Sequence, residues 1–125
     1  MRPLRAALSD ALAAQDDVDG FACVDVRAGA VIEASARDRR VREALDLAAR
    51  AAAQICAAPR LESPEEDDAR ARGALVVSDT AVHAFARSRR SPGRVVVGIG
   101  RGHVNVGLLL ASVHAIADGL PEETS

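Results

Sequence analysis

Residues 19–35 read DGFACVDVRAGAVIEAS, and this stretch predicts two antiparallel strands joined by a tight turn. The first strand is predicted over Gly20–Arg27 and the second over Ala30–Ala36, with Gly29 in the turn, where glycine can adopt a positive φ. Apolar residues of the first strand fall on both faces, with Ala22, Val24 and Val26 on one and Phe21 and Cys23 on the other. We therefore expect this strand to lie inside a sheet that is covered on both sides.

The hairpin lies between two predicted helices. The first covers residues 2–15, because its leucines recur with the 3.6-residue period of a helix. The second covers Arg39–Ala57, with Asp38 as the N-cap and Pro59 as the residue that ends it.

The second helix has an unusually wide apolar surface. Its main stripe comprises Val41, Ala44, Leu45, Ala48, Ala52 and Ile55. Leu47 and Ala51 widen this stripe beyond what one sheet face needs. The pattern predicts a helix that packs on a sheet and on a second helix at once.

The second half of the chain predicts three more strands and a last helix. A polar stretch with the acidic run Glu62–Asp68 precedes them and is predicted to be a solvated loop. The predicted elements are strands at Gly73–Asp79, Thr80–Ser88 and Arg94–Gly100, a helix at about Val104–Gly119, and a polar tail at 121–125. Arg94–Gly100 is valine-rich on both faces and is therefore predicted to be central.

Composition limits the class of protein. A chain of 125 residues, 49% of them apolar, suits one domain, which we place at residues 1–120. Phe21 and Phe85 are the only aromatic residues, so we expect further apolar surface to be buried against a partner. A net charge of −2 gives no general attraction for nucleic acid, and no run approaches the roughly 18 apolar residues of a membrane span. Cys23 and Cys56 lie in apolar patterns and, with no signal peptide recognised, predict a cytoplasmic protein with reduced, buried thiols.

The predicted order of helix, two strands, helix, three strands and helix resembles the roadblock (dynein light chain) family over nearly the whole chain. The similar features are the hairpin at 19–35, the alanine-rich middle helix, and the last strand running into NVGLLLASVHAI at residues 105–116. The resemblance implies an α/β (α+β) fold with a five-stranded antiparallel sheet. It places the first and last helices on one face of the sheet and the middle helix on the other.

The resemblance also implies a homodimer formed through the middle helix and the third strand. The candidate interface comprises Val41, Leu45, Leu47, Ala48, Ala51, Ala52, Ile55, Leu75 and Val77. Bacterial members of the MglB type act on a Ras-like small GTPase, and other members serve as scaffolds. We therefore expect a non-catalytic, dimeric regulatory subunit that binds a Ras-like GTPase and modulates GTP hydrolysis. The alternative is a structural adaptor without GTPase contact, and a small enzyme or ligand-binding module is the least favoured reading.

The residues that could bind a nucleotide, a metal or a charged partner support the same expectation. Gly98, Gly100 and Gly102 follow a strand and precede a helix, but their spacing lacks the dinucleotide-binding pattern, so close packing of strand and helix is the favoured interpretation. His83, His103 and His114 make no metal-ligand spacing with the cysteines. We expect no catalytic residue, no metal and no cofactor. Four arginines flank one turn and are candidates for contact with an acidic partner, the alternative being a solvated turn: Arg87, Arg89, Arg90 and Arg94.

Overall fold

The computed structural model describes residues 3–57 and 73–121, with only the backbone described for 55–57. The helices are α1 (Leu4–Ala13), α2 (Arg39–Ala57) and α3 (Val106–Asp118). The strands are β1 (Val18–Asp25), β2 (Ala30–Ala36), β3 (Gly73–Val77), β4 (Ala81–Arg87) and β5 (Arg94–Arg101). Element types and order agree with the sequence prediction, and bounds differ by no more than two residues. The predicted acidic loop Glu62–Asp68, Pro59 and the tail beyond Pro121 lie outside the described residues.

The five strands form one antiparallel sheet in the order β2-β1-β5-β4-β3. The strand β1 is interior, as its two apolar faces predicted, and β5 is central. Gly29 has a φ of 65° in the turn between β1 and β2, so the turn uses the conformation that glycine adopts without strain. Residues 19–35 therefore form the hairpin that was predicted for them.

Helices cover the sheet on both faces, and the alternation of β1 decides which side chains each face receives. Phe21 and Cys23 join the core under α1 and α3, together with Leu8, Leu109 and Val113. Ala22 and Val24 join a second core under α2, together with Leu45, Val95 and Val97. The placement of α1 and α3 opposite α2 is the one that the family resemblance implied.

Side-chain caps set the beginnings of two helices. Oδ1 of Asp38 accepts a hydrogen bond of 2.9 Å from the backbone N–H of Val41, as expected for the N-cap of α2. Oδ1 of Asn105 accepts one of 3.0 Å from Leu108, so Asn105 caps α3 in the same way. The helix α3 therefore begins after Asn105, two residues later than the predicted start.

The glycines of β5 permit close packing against α3 and the loop that precedes it. A Cβ added to Gly98 would lie 2.9 Å from Leu109 Cδ1 and 2.9 Å from Phe21 Cε1. A Cβ on Gly100 would lie 2.7 Å from Val104 Cγ2. All three distances are shorter than carbon atoms tolerate, so these glycines make room for neighbouring apolar side chains. This is the packing interpretation of the glycine motif that the sequence favoured.

Candidate interaction surfaces

The strand β3 is an apolar edge of the sheet. It pairs with β4 on one side, and among the described residues no strand lies on its other side. Leu75, Val76 and Val77 are 40%, 46% and 69% exposed. Unpaired backbone groups beside exposed apolar side chains are the features through which an edge strand pairs with another chain.

Val76 belongs to the same sheet face as α2, whereas Leu75 and Val77 point to the other face. Val76 is directly opposite His83 in the ladder between β3 and β4. His83 is two residues from Phe85, which is part of the core under α2, so both side chains share that face. The helix α2 packs mainly on β2, β1 and β5. The part of this face that β3 forms, including Val76, therefore extends beyond α2, and it is called the β3 margin below.

The structure divides the residues predicted for the dimer interface into two groups. Leu45, Ala48 and Ala52 are at most 5% exposed and pack against the sheet of their own chain, with Val41 half-buried beside them. Leu47, which is 65% exposed, and Ala51 remain on the surface of α2, as Leu75 and Val77 do on β3. The side chain of Ile55 lies outside the described residues. The apolar surface of α2 that is available to a second copy is therefore narrower than the number of apolar residues in the helix suggested.

Val76 was missed in the predicted interface, although it is on the face that α2 only partly covers. The run of apolar residues at 74–77 shows no alternation, so the sequence does not indicate which side chains share a face with α2. Only the register with β4 settles this point.

His83 is in a partly dehydrated position near this margin. Burial lowers the pKa of its imidazole below the ordinary value of 6.5, because removal of water disfavours the charged form. The neutral ring is thus the form that the fold favours at neutral pH. A neutral ring is better suited to a covered protein face than a charged one.

The arginines of the turn between β4 and β5 occupy different environments. Arg89 and Arg90 are exposed at the tip of the turn, whose backbone is held by the buried Ser88 and Ser91. Oγ of Ser88 accepts a hydrogen bond of 3.1 Å from the backbone N–H of Ser91. Arg87 and Arg94 are half-buried, and the Nε of Arg87 is buried without a hydrogen-bond partner in the described part of the chain. The four arginines are therefore not equally available to a partner.

Other candidate chemistry is dispersed in the described residues. His83 lies on β4, His103 in the loop after β5 and His114 on α3, and within the described ranges no group of three potential metal ligands comes together. Burial raises the pKa of the Cys23 thiol to about 11, and the thiol is fully buried. In the part of the chain that is described, no helix has both the length and the apolar character needed to cross a bilayer.

Several solved structures share this architecture. The Roadblock/LC7 domain from Streptomyces avermitilis has a TM-score of 0.67, with 93% of this chain and 92% of that domain covered, at 11% identity. MglB from Myxococcus xanthus has a TM-score of 0.66 with 92% and 89% covered, at 12% identity. MglC from the same organism has a TM-score of 0.64 with 91% and 92% covered, at 14% identity. No family model and no curated protein sequence matches the chain at a significant level.

These likenesses define the class of fold. The chain has the roadblock fold, with one five-stranded antiparallel sheet, α1 and α3 on one face and α2 on the other. The predicted fold class is thereby confirmed. At identities of 11% to 14% the likeness concerns the fold, and function has to be argued from the surfaces of this chain.

Proposed function

We propose that this protein is a homodimeric regulatory subunit that binds a Ras-like small GTPase and modulates GTP hydrolysis by it. The observation that carries the proposal is the apolar edge strand β3, exposed at Leu75, Val76 and Val77. A second copy would pair with this edge in an antiparallel ladder and join the two sheets. The resemblance to the roadblock family adds the expectation of a GTPase partner.

A flank of α2 supports the same mode of association. Ala53 lies 3.8 Å from a Cβ built on Gly29, so this side of the helix faces the hairpin of β1 and β2. Ala44, Leu47 and Ala51 recur at i, i+3 and i+7 on a different side of the helix. Helical geometry directs that side away from the hairpin and towards the β3 margin. In a dimer, the apolar flank of α2 and the β3 margin would be covered together.

The basic turn is the part of the surface that we assign to the GTPase or another acidic partner. Arg89 and Arg90 are exposed at its tip, and their backbone is fixed by the buried Ser88 and Ser91. A fixed backbone presents two guanidinium groups at a lower entropic cost than a mobile loop would. Carboxylates on a partner would bind such groups through charge-assisted hydrogen bonds.

The test of the GTPase partner is recovery of proteins cross-linked to the tagged protein in its own cells, with identification by mass spectrometry. We expect a Ras-like GTPase, and a change in its rate of GTP hydrolysis when this protein is added. The double variant Arg89→Glu, Arg90→Glu should reduce recovery, whereas Arg39→Glu at the exposed start of α2 should not. Recovery of assembly components with no GTPase among them would favour the adaptor role instead.

A further inference from the structure

A groove runs between α1 and α3 on the sheet face opposite α2. The two helices are antiparallel, because Leu4 at the start of α1 and Ile116 near the end of α3 line the same cavity. Just after α1, Nε2 of Gln15 donates a hydrogen bond of 2.8 Å to Oγ of Ser112 in the middle of α3. Between them the helices leave a cavity of about 700 Å³, which Ser112 also lines. Cavities of this size are typical of ligand-binding sites.

Small residues keep the groove open. Ala7 and Ala11 line it from α1, and Ala115 on α3 and Gly119 just after α3 line it from the other side. Packed helices normally fill the space between them with interlocking side chains, and these residues are too short to do so. Leu4, Ile116 and Leu120 complete walls that are mainly apolar. The groove therefore offers both room and apolar surface.

One positive charge gives the groove a polarity. Arg94, at the start of β5, lines it and is half-buried. Its backbone bonds to Ser88 and Ser91, but among the described residues no hydrogen bond or ion pair engages its guanidinium. Asp10 also lines the groove and already takes part in an interaction within the chain. The N-terminus of α1 and the C-terminus of α3 lie at the same end, so their dipoles offset each other, and Arg94 is the one cation among the described residues that line the groove.

We propose that this groove binds an amphipathic helix of a partner protein, with a carboxylate of that helix facing Arg94. The distance from Leu4 to Ala11 along α1 is about 10 Å, or two helical turns. Anchors at i, i+3, i+4 and i+7 of a docked helix span the same length. The carboxylate is required because it is the group that an unpaired, half-buried guanidinium binds best.

The groove uses residues other than those assigned to the dimer and the GTPase. It lies on the face of α1 and α3, whereas the flank of α2 and Val76 are on the other face. It adjoins the basic turn through Arg94, whose backbone is bonded to Ser88 and Ser91. Arg94 thereby has a role that the exposed Arg89 and Arg90 do not share. The proposal goes beyond the proposed function and does not depend on it.

The test is selection of displayed helical peptides of about twelve residues on the folded, full-length protein. The library fixes the apolar stripe and randomises the other positions. Counter-selection uses Ala115→Trp, which fills the groove, and Ala13→Trp on the exposed side of α1 is the matched control. We expect peptides with an Asp or Glu at one end, whose binding is lost with Ala115→Trp and kept with Ala13→Trp.

The role of the Arg94 charge is tested by a double-mutant cycle in which peptide affinities are measured by fluorescence anisotropy. Arg94→Gln should weaken binding of the selected peptide about five- to tenfold. A peptide with Gln in place of its acidic residue should show no further loss of affinity on that variant. Arg94→Lys should restore part of the affinity. Circular dichroism establishes that each variant is folded, and the oligomeric state of each reports on the dimer separately.

Two results would overturn the proposal. One is a selection in which no peptide depends on the groove, or in which the dependent peptides lack an acid. The other is groove-dependent binding of sodium decanoate with no peptide selected, which would identify an acyl ligand as the occupant.

Discussion

Val76 on β3 lies directly opposite His83 on β4, with both side chains on the α2 face of the sheet at its open margin. Val76 is 46% exposed, and burial holds His83 towards its neutral form. An exposed apolar side chain next to a partly dehydrated imidazole is unfavourable in water and favourable under a covering protein surface. This pair connects the proposed dimer with measurable consequences of mutation and of pH.

The first prediction concerns the oligomeric state. Val76→Lys should convert the dimer to a monomer, with a rise of about tenfold or more in the dissociation constant, because the ammonium group would be buried without a partner. The matched control is Ile32→Lys, which changes an apolar residue of 44% exposure on β2, the opposite edge of the sheet. Light scattering coupled to size-exclusion chromatography measures the oligomeric state of both variants. A monomeric wild-type protein, or equal effects of the two variants, would contradict the proposed interface.

The second prediction concerns pH. Because the folded pKa of His83 is lowered, the unfolded chain binds the proton more tightly than the folded chain does. Stability is therefore unaffected by this group above pH 6.5 and decreases as the pH falls below that value. His83→Gln should remove the part of this loss of stability that protonation of His83 causes. Urea unfolding at pH 7.5 and pH 5.5 measures the difference, and an identical loss in variant and wild type would exclude His83 as its source.

Local patterns in the sequence predicted the elements well, and for physical reasons. The two-faced strand β1, the turn at Gly29 and the cap at Asp38 depend on neighbouring residues, so the sequence displays them directly. The buried stripe of α2 was recognised too. Which of its residues are left for a dimer does not follow from the pattern, because an apolar stripe does not reveal whether it covers its own sheet or another chain.

Contacts between distant residues could not be predicted in this way. The groove joins residues near the start of α1 to others near the end of α3, about a hundred positions apart. Small residues at these positions are equally typical of close packing, so their pattern does not indicate an opening. Arg37 is a second example, since its partners precede it by 19 to 25 positions.

The third prediction concerns Arg37, which holds the end of α1 to the start of β1. Its Nη2 donates hydrogen bonds of 2.9 Å and 2.8 Å to the carbonyl oxygens of Leu12 and Gln15, and Nε donates one of 2.8 Å to Val18. Arg37→Ala should lower the free energy of unfolding by about 2 kcal/mol, because three main-chain acceptors lose a charged donor. Arg50→Ala, at an exposed position of α2, is the control and should change it by less than about 0.5 kcal/mol. Equal values for the two variants in urea unfolding would show that the contacts of Arg37 are not stabilising.

The fourth prediction concerns Cys23, which is fully buried under α1 and α3. Desolvation raises the pKa of its thiol from the ordinary value of 9.0 to about 11, partly offset by the positive charge of Arg94. At pH 8 the reactive thiolate is therefore about a hundredfold rarer than in an unfolded chain, and the reagent must also reach a closed core. In a Cys56→Ser background, reaction with a disulfide reagent should follow the rate of unfolding in native buffer and become fast in concentrated urea. Fast reaction of one thiol in native buffer would mean that the core under α1 and α3 opens readily.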